Sequence, residues 1–232
     1  MINLSLIHKL TNIKMEPAIK ILIYIHAFFG GIGLMTGIGS ILVKKGNALH
    51  KKLGKLFSIG MLTSCLISLF ICWMPNHQNI FLFLIGLFTI YLVISGNRAT
   101  SFKYKTKANF TDKLISGSTL FFSVIMIAIG IYCQLKNIQN GVLFLFFGGF
   151  GLYMSIKDFM FFKNVSEMKK KWLIKHIGKM TGALIASVTA FIVAGIGLGN
   201  LIAWITPSIL GTIYIIYWNR KTTPKTDKMI KV

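Results

Sequence analysis

Two histidines sit beside long apolar runs. His50 lies in KKGNALHKKLGK (44–55), and His176 in WLIKHIGKM (172–180). Neutral imidazoles suit iron, copper or zinc, so a pair of them, offered by two helices at one depth, would hold haem b or a transition metal. Met180 follows His176 by four residues and so shares its helical face, where it could add a thioether donor. Asn97 and Arg98 end one apolar run and Asp158 lies near the end of another. They support a second reading, a structural polar network in which Arg98 pairs with Asp158 and His176 is a hydrogen-bonded neighbour. A substrate-binding pocket built from the same residues is the third. His26 lies inside the first apolar run, where an ionisable side chain is a functional candidate by default. Its plainer reading is a neutral ring bonded to a carbonyl or hydroxyl of the next helix. No residue is identified as catalytic.

Several chemistries are disfavoured. All five acidic residues (Glu16, Asp112, Asp158, Glu167, Asp227) fall in loops, tails or helix ends, so no carboxylate is expected at mid-membrane, where proton-coupled transporters and pumps usually keep one. There is no H-E-x-x-H, no G-x-S-x-G and no phosphate-binding glycine loop. Cys65, Cys72 and Cys133 lie within or at the end of apolar segments, form no C-x-x-C, and read as small hydrophobes. A dihaem protein would need a His pair near each surface. On the outer side only His26 lies in a span, so one cytoplasmic-side haem is the most the histidines allow.

The elements that must position these residues are plain. Of 232 residues, 54% are hydrophobic and only 13% charged, whereas a soluble chain carries about a quarter charged. Apolar stretches occupy about 18–43, 54–74, 80–97, 114–135, 141–161, 174–198 and 200–218. Each is long enough to cross a bilayer, where only helices satisfy their own backbone and no barrel-like alternation is seen. The fold expected is an all-α, seven-span transmembrane bundle. It divides into an amphipathic arm (1–17, with Ile2, Leu6, Leu10 and Ile13 on one side), a membrane domain (18–218) and a basic tail (219–232). The arm reads as an interfacial helix and not as a cleaved signal. Pro17 is expected to open the first span.

Net charge of +21 comes from cations that flank spans, so the bilayer, and no nucleic acid, is the partner expected. Of 26 Lys and Arg, 22 belong to the first, third and fifth loops, counted with their flanks, and to the C-terminal tail. Cation-rich short loops stay in the cytoplasm, which puts the N-terminus outside and the C-terminus inside. Two stripes of small residues should be helix contacts. One is Gly30, Gly33, Gly37 and Ser40; the other is Gly178, Gly182, Ala186, Ala190 and Ala194. The aromatic run VLFLFFGGFGLYM (142–154) reads as lipid contact and packing.

The segments GNALHKKLGKLFSIGM, WLIKHIGKMTGALIASVTAFIV and NLIAWITPSILGTIYIIYWNRK resemble an uncharacterised bacterial membrane-protein family, domain-of-unknown-function family 2306 or a close relative. The resemblance implies a polytopic protein of the bacterial inner membrane with no established reaction. It points to His50, Gly54, Trp172, His176 and Met180 as recurring positions. Three functions are therefore expected as rivals. The first is a metal or haem redox protein around His50 and His176. The second is a transporter of a small molecule or lipid, with Thr206-Pro207 as a helix interruption. The third is an assembly partner in a homo-oligomer or larger membrane complex.

Overall fold

A computed structural model of the chain describes the backbone of residues 4–223 and the side chains of residues 16–223. The amphipathic face expected at 1–17 and the tail from 224 onward lie outside the described residues. Seven α-helices follow one another: α1 (Leu4–Leu42), α2 (Ala48–Ile71), α3 (Ile80–Ala99), α4 (Phe110–Leu135), α5 (Gly141–Phe162), α6 (Val165–Ala190) and α7 (Leu201–Thr222). A 3₁₀ turn at Thr100–Lys103 extends α3, and a π turn at Phe191–Gly195 closes α6. No strand occurs among the described residues. All seven helices are long and apolar enough to cross a membrane, so the chain is a multi-pass, all-helical membrane protein.

Asparagine starts most of these helices. The side chains of Asn47, Asn79, Asn109, Asn164 and Asn200 each accept the backbone N–H three residues on. Each thereby satisfies one of the four orphan donors of a helix start, a role asparagine fills well. At Asn109 the bond is reciprocated by Asp112, giving a full capping box. Prolines do not break the helices where the sequence suggested. α1 runs through Pro17 instead of opening there, and α7 runs unbroken through Pro207. A proline removes one backbone bond and can be carried by the rest of a long transmembrane helix. Between α6 and α7 the backbone is irregular in the π turn and at Gly197, whose φ of +82° suits glycine.

The chain divides inside α3 into two compact units, residues 1–87 and 88–232. In the first, α1 packs along α2. A Cβ on Gly60 would lie 2.8 Å from the Phe29 carbonyl oxygen and 2.9 Å from the Gly33 nitrogen. The two backbones therefore touch, and the expected face of Gly30 and Gly33 is the one that meets α2.

In the second unit α4 packs along α5 and α6 along α7. Gly130, Gly148 and Gly151 let α4 and α5 close together: a Cβ on Gly148 would sit 2.9 Å from that of Met126. The 142–154 run thus includes a packing face. The stripe expected on the sixth span is different. A Cβ on Gly182 would meet the Leu92 side chain of α3 at 3.5 Å, but Gly178 has open space around it and Ala190 is exposed, while Lys179, Ala183 and Ser187 form a buried line on α6. Small residues permit close approach but do not compel it, and here a polar line faces inward instead.

Candidate functional site

The strongest concentration of buried chemistry lies in the second unit, around Asp158. Its side chain is 3% exposed, one turn before the end of α5. One carboxylate oxygen, Oδ2, accepts from the Tyr91 hydroxyl at 2.6 Å, the Ser116 hydroxyl at 3.1 Å and the Lys179 ammonium at 2.9 Å. The other, Oδ1, accepts from Lys175 at 2.8 Å. Lys179 is itself buried, donates to the Tyr91 oxygen, and lies 3.9 Å from the centroid of the Tyr91 ring. Lys175 also donates to the Lys157 carbonyl at 3.1 Å and sits over the Phe161 ring. Four helices thus contribute: α3 through Tyr91, α4 through Ser116, α5 through Asp158, α6 through both lysines.

Helical periodicity explains the convergence. Lys175 and Lys179 are one turn apart on α6 and reach the two oxygens of a single carboxylate. The α5–α6 connection is only 163–164, which brings the start of α6 back beside the end of α5. An ion pair removed from water survives only when its remaining polar atoms are bonded. Tyr91 and Ser116 supply those bonds.

A second ionic group caps it. Asp112, 4% exposed in the first turn of α4, accepts from Arg98 Nε at 2.6 Å and from Lys105 at 3.0 Å. Arg98 also donates to the Asn109 side chain at 2.9 Å. Between the two groups lies a cavity of about 20 Å³, bordered by Arg98, Asp112, Ser116, Asp158, Lys175 and Lys179. That is room for about one water molecule.

The partner expected for Arg98 is therefore corrected: it pairs with Asp112, and Asp158 pairs with two lysines. By sequence, Lys175 and Lys179 belong with the cations that flank the fifth loop. The structure places both within α6, and Lys157 within α5. Asn97 is exposed, and its backbone carbonyl accepts the Thr100 hydroxyl at 2.8 Å. Tyr91, Ser116, Lys175 and Lys179 were missed. The available signal was a lysine inside an apolar run, four residues from another, just after a helix carrying an aspartate.

The histidines and Met180 have identifiable positions. His176 donates through Nδ1 to the Gly96 carbonyl at 2.9 Å. A Cβ on Gly96 would lie 2.7 Å from the Met180 sulfur, so His176 and Met180 straddle one glycine of α3. In the first unit His50 donates through Nδ1 to the Ser40 carbonyl at 3.0 Å. Lys45 donates to the Ser40, Ile41 and Val43 carbonyls, closing the end of α1, and burial there pushes its ammonium pKa down. His26 Nδ1 lies 2.9 Å from both the carbonyl and the hydroxyl of Ser64, whose hydroxyl donates to the His26 carbonyl at 3.0 Å. This is the plainer reading of His26, a pin between α1 and α2.

Among the described residues no group of three or more His, Cys, Asp or Glu is placed to hold a metal ion. Comparison with protein-family models, with curated protein sequences and with solved structures gave no match.

Proposed function

We propose that this is a proton-linked transporter of a small solute, with the Asp158–Lys179 pair as its protonatable centre. One observation carries the proposal: a carboxylate and an ammonium are buried together within membrane-spanning helices, bonded to a tyrosine and a serine from two further helices. Ionisable groups are expensive inside a bilayer and mark proton and substrate paths. Protonating Asp158 would remove the charge that holds Lys175 and Lys179, loosening α5 from α6 at one point. The charged and titratable groups facing it are Tyr91 from α3, Lys175 and Lys179 from α6 and, across the small cavity, Arg98 from α3 and Asp112 from α4. A group whose charge state decides whether helices are tied together is the switch that alternating access needs.

The proposal includes the bacterial inner membrane as location, an outside N-terminus and cytoplasmic C-terminus, and kinship with the family of unknown function that the His50 and His176 segments resemble. Cation placement supports the orientation, although Lys157, Lys175 and Lys179 no longer count as loop charges. Of the cations that do lie between helices, Lys44, Lys45, Lys105, Lys107 and Lys163 still favour it.

The test uses proteoliposomes loaded with a pH-sensitive dye and given inward gradients of ethanolamine, lactate or glucose, one solute class each. The wild type should change internal pH with one class. The charge-neutral variant Asp158→Asn/Lys179→Met should not. A wild type indistinguishable from protein-free liposomes across all three contradicts the proposal.

A haem or metal site keeps one supporting observation. His50 and His176 each donate Nδ1–H to a carbonyl, which is how a ligating imidazole is ordinarily oriented. Met180 is a poorer donor because its sulfur fills the space over Gly96. Absorbance spectra of the oxidised and dithionite-reduced protein decide this: a Soret band lost in His50→Ala or His176→Ala supports haem, and a colourless, metal-free protein expressed with ample haem and metal supply rejects it.

A further inference from the structure

Charge around the small cavity does not balance. Two carboxylates, Asp112 and Asp158, face four cations, Arg98, Lys105, Lys175 and Lys179. The carboxylates and Lys179 are buried, whereas Arg98, Lys105 and Lys175 keep 28%, 25% and 21% of their side chains exposed. The unspent positive charge is therefore on the open side. Ser95 and Ser116 add hydroxyls to the lining, and Ile115, Phe161 and Phe162 add an apolar wall. The site lies where α3 and α5 end and α4 begins, which is the edge of the spans.

We infer that this cavity seats a phosphate-bearing anion, one oxygen entering between the Asp112 and Asp158 ion pairs while Arg98 and Lys175 hold the phosphate at the mouth. The inference rests on the reading of the Asp158 cluster as the working site and names a ligand for it. A volume of about 20 Å³ fits one oxygen and not a whole phosphate, so the phosphorus stays at the rim. Arginine offers a planar fork of donors and lysine a point charge, the pair of groups that commonly bind phosphate. The phosphate can belong to an anionic lipid headgroup, with its acyl chains along the phenylalanine wall, or to inorganic phosphate from solution. Basic pockets between transmembrane helices take lipid headgroups in this manner.

The experiment is thermal unfolding of the full-length protein in an uncharged detergent. Dihexanoyl phosphatidylglycerol, dihexanoyl phosphatidylcholine and inorganic phosphate are titrated separately. Phosphatidylglycerol should raise the midpoint saturably and phosphatidylcholine should not. Arg98→Gln/Lys175→Gln should weaken binding about twenty-fivefold, from about fivefold per cation. If the double variant fails to fold because Asp112 keeps only Lys105, Lys175→Gln alone should give the fivefold loss. Lys169→Gln/Lys170→Gln, on the exposed start of α6, should bind as the wild type does.

Saturation by inorganic phosphate, with phosphatidylglycerol competing for it, identifies the solution anion; binding of phosphatidylglycerol alone identifies the lipid. Equal shifts with both lipids and none with phosphate overturn the inference, as does loss of binding in the exposed-lysine variant with none in Lys175→Gln. A protein that binds the anion but shows no solute-driven proton movement keeps this site and loses the transport reading; proton movement without anion binding does the reverse.

Discussion

Asp158 holds two ammonium groups at once, and that asymmetry makes its loss worse than the loss of either lysine. Asp158→Asn leaves Lys175 and Lys179 facing each other in a buried site without a counter-charge, at a cost of about 3–5 kcal/mol. Adding Lys179→Met removes the more buried cation and should recover most of that loss; denaturant or thermal unfolding of the single and double variants measures both. A double variant no more stable than Asp158→Asn would show that charge balance is not what holds the cluster. The His26 ring and the Ser64 hydroxyl are joined by one bond between side chains, so His26→Ala and Ser64→Ala should be coupled, by roughly 0.5–3 kcal/mol in a double-mutant cycle. At this scale the sequence was only partly legible. His26 and Asp158 stood out because polar groups in apolar runs are few. Lys175 and Lys179 did not, because a lysine near a span boundary looks the same whether it faces the cytoplasm or a buried carboxylate.

Helices meet wherever a glycine allows two backbones to touch, and substitution should reveal which glycines are contacts. Gly60→Leu forces a side chain into the Phe29 carbonyl and the Gly33 backbone and should prevent α1 and α2 from pairing. Gly178→Ala meets nothing and should be neutral, or stabilising by up to about 1 kcal/mol through helix propensity. Thermal unfolding in detergent separates the two; a destabilised Gly178→Ala would restore the sixth-span stripe as a contact face. The number and order of the spans could be read in advance, because apolar runs are local signals; the starts of α2 and α6 could not, because their first turns are the polar stretches after Asn47 and Asn164, which an apolar run leaves outside the span. Nor could which face of α6 turns inward. Five small residues in a row advertise a close contact, yet the inward face is chosen by where Lys179 finds Asp158, a long-range pairing that periodicity does not encode.

For the whole molecule, composition alone carried the class. A chain this apolar and this poor in charge has too little polar surface for water, and seven runs of bilayer length leave a multi-pass bundle. Orientation is the next consequence. Single cysteines placed at Lys107 or Asn164, in a chain with its native cysteines replaced, should be shielded from an impermeant thiol reagent in intact cells, and cysteines at Asn76 or Ile138 should be labelled. The reverse pattern would put the Asp158 site at the outer face.

The central claim is that Asp158 changes its protonation state in the folded protein and does not only tie α5 to α6. Infrared difference spectroscopy of the reconstituted protein across pH measures this directly. The account predicts a carboxylic-acid carbonyl band that comes and goes reversibly with pH and is absent from Asp158→Asn/Lys179→Met. An Asp158 that stays ionised at every pH at which the protein remains folded would contradict it and leave the cluster a structural staple.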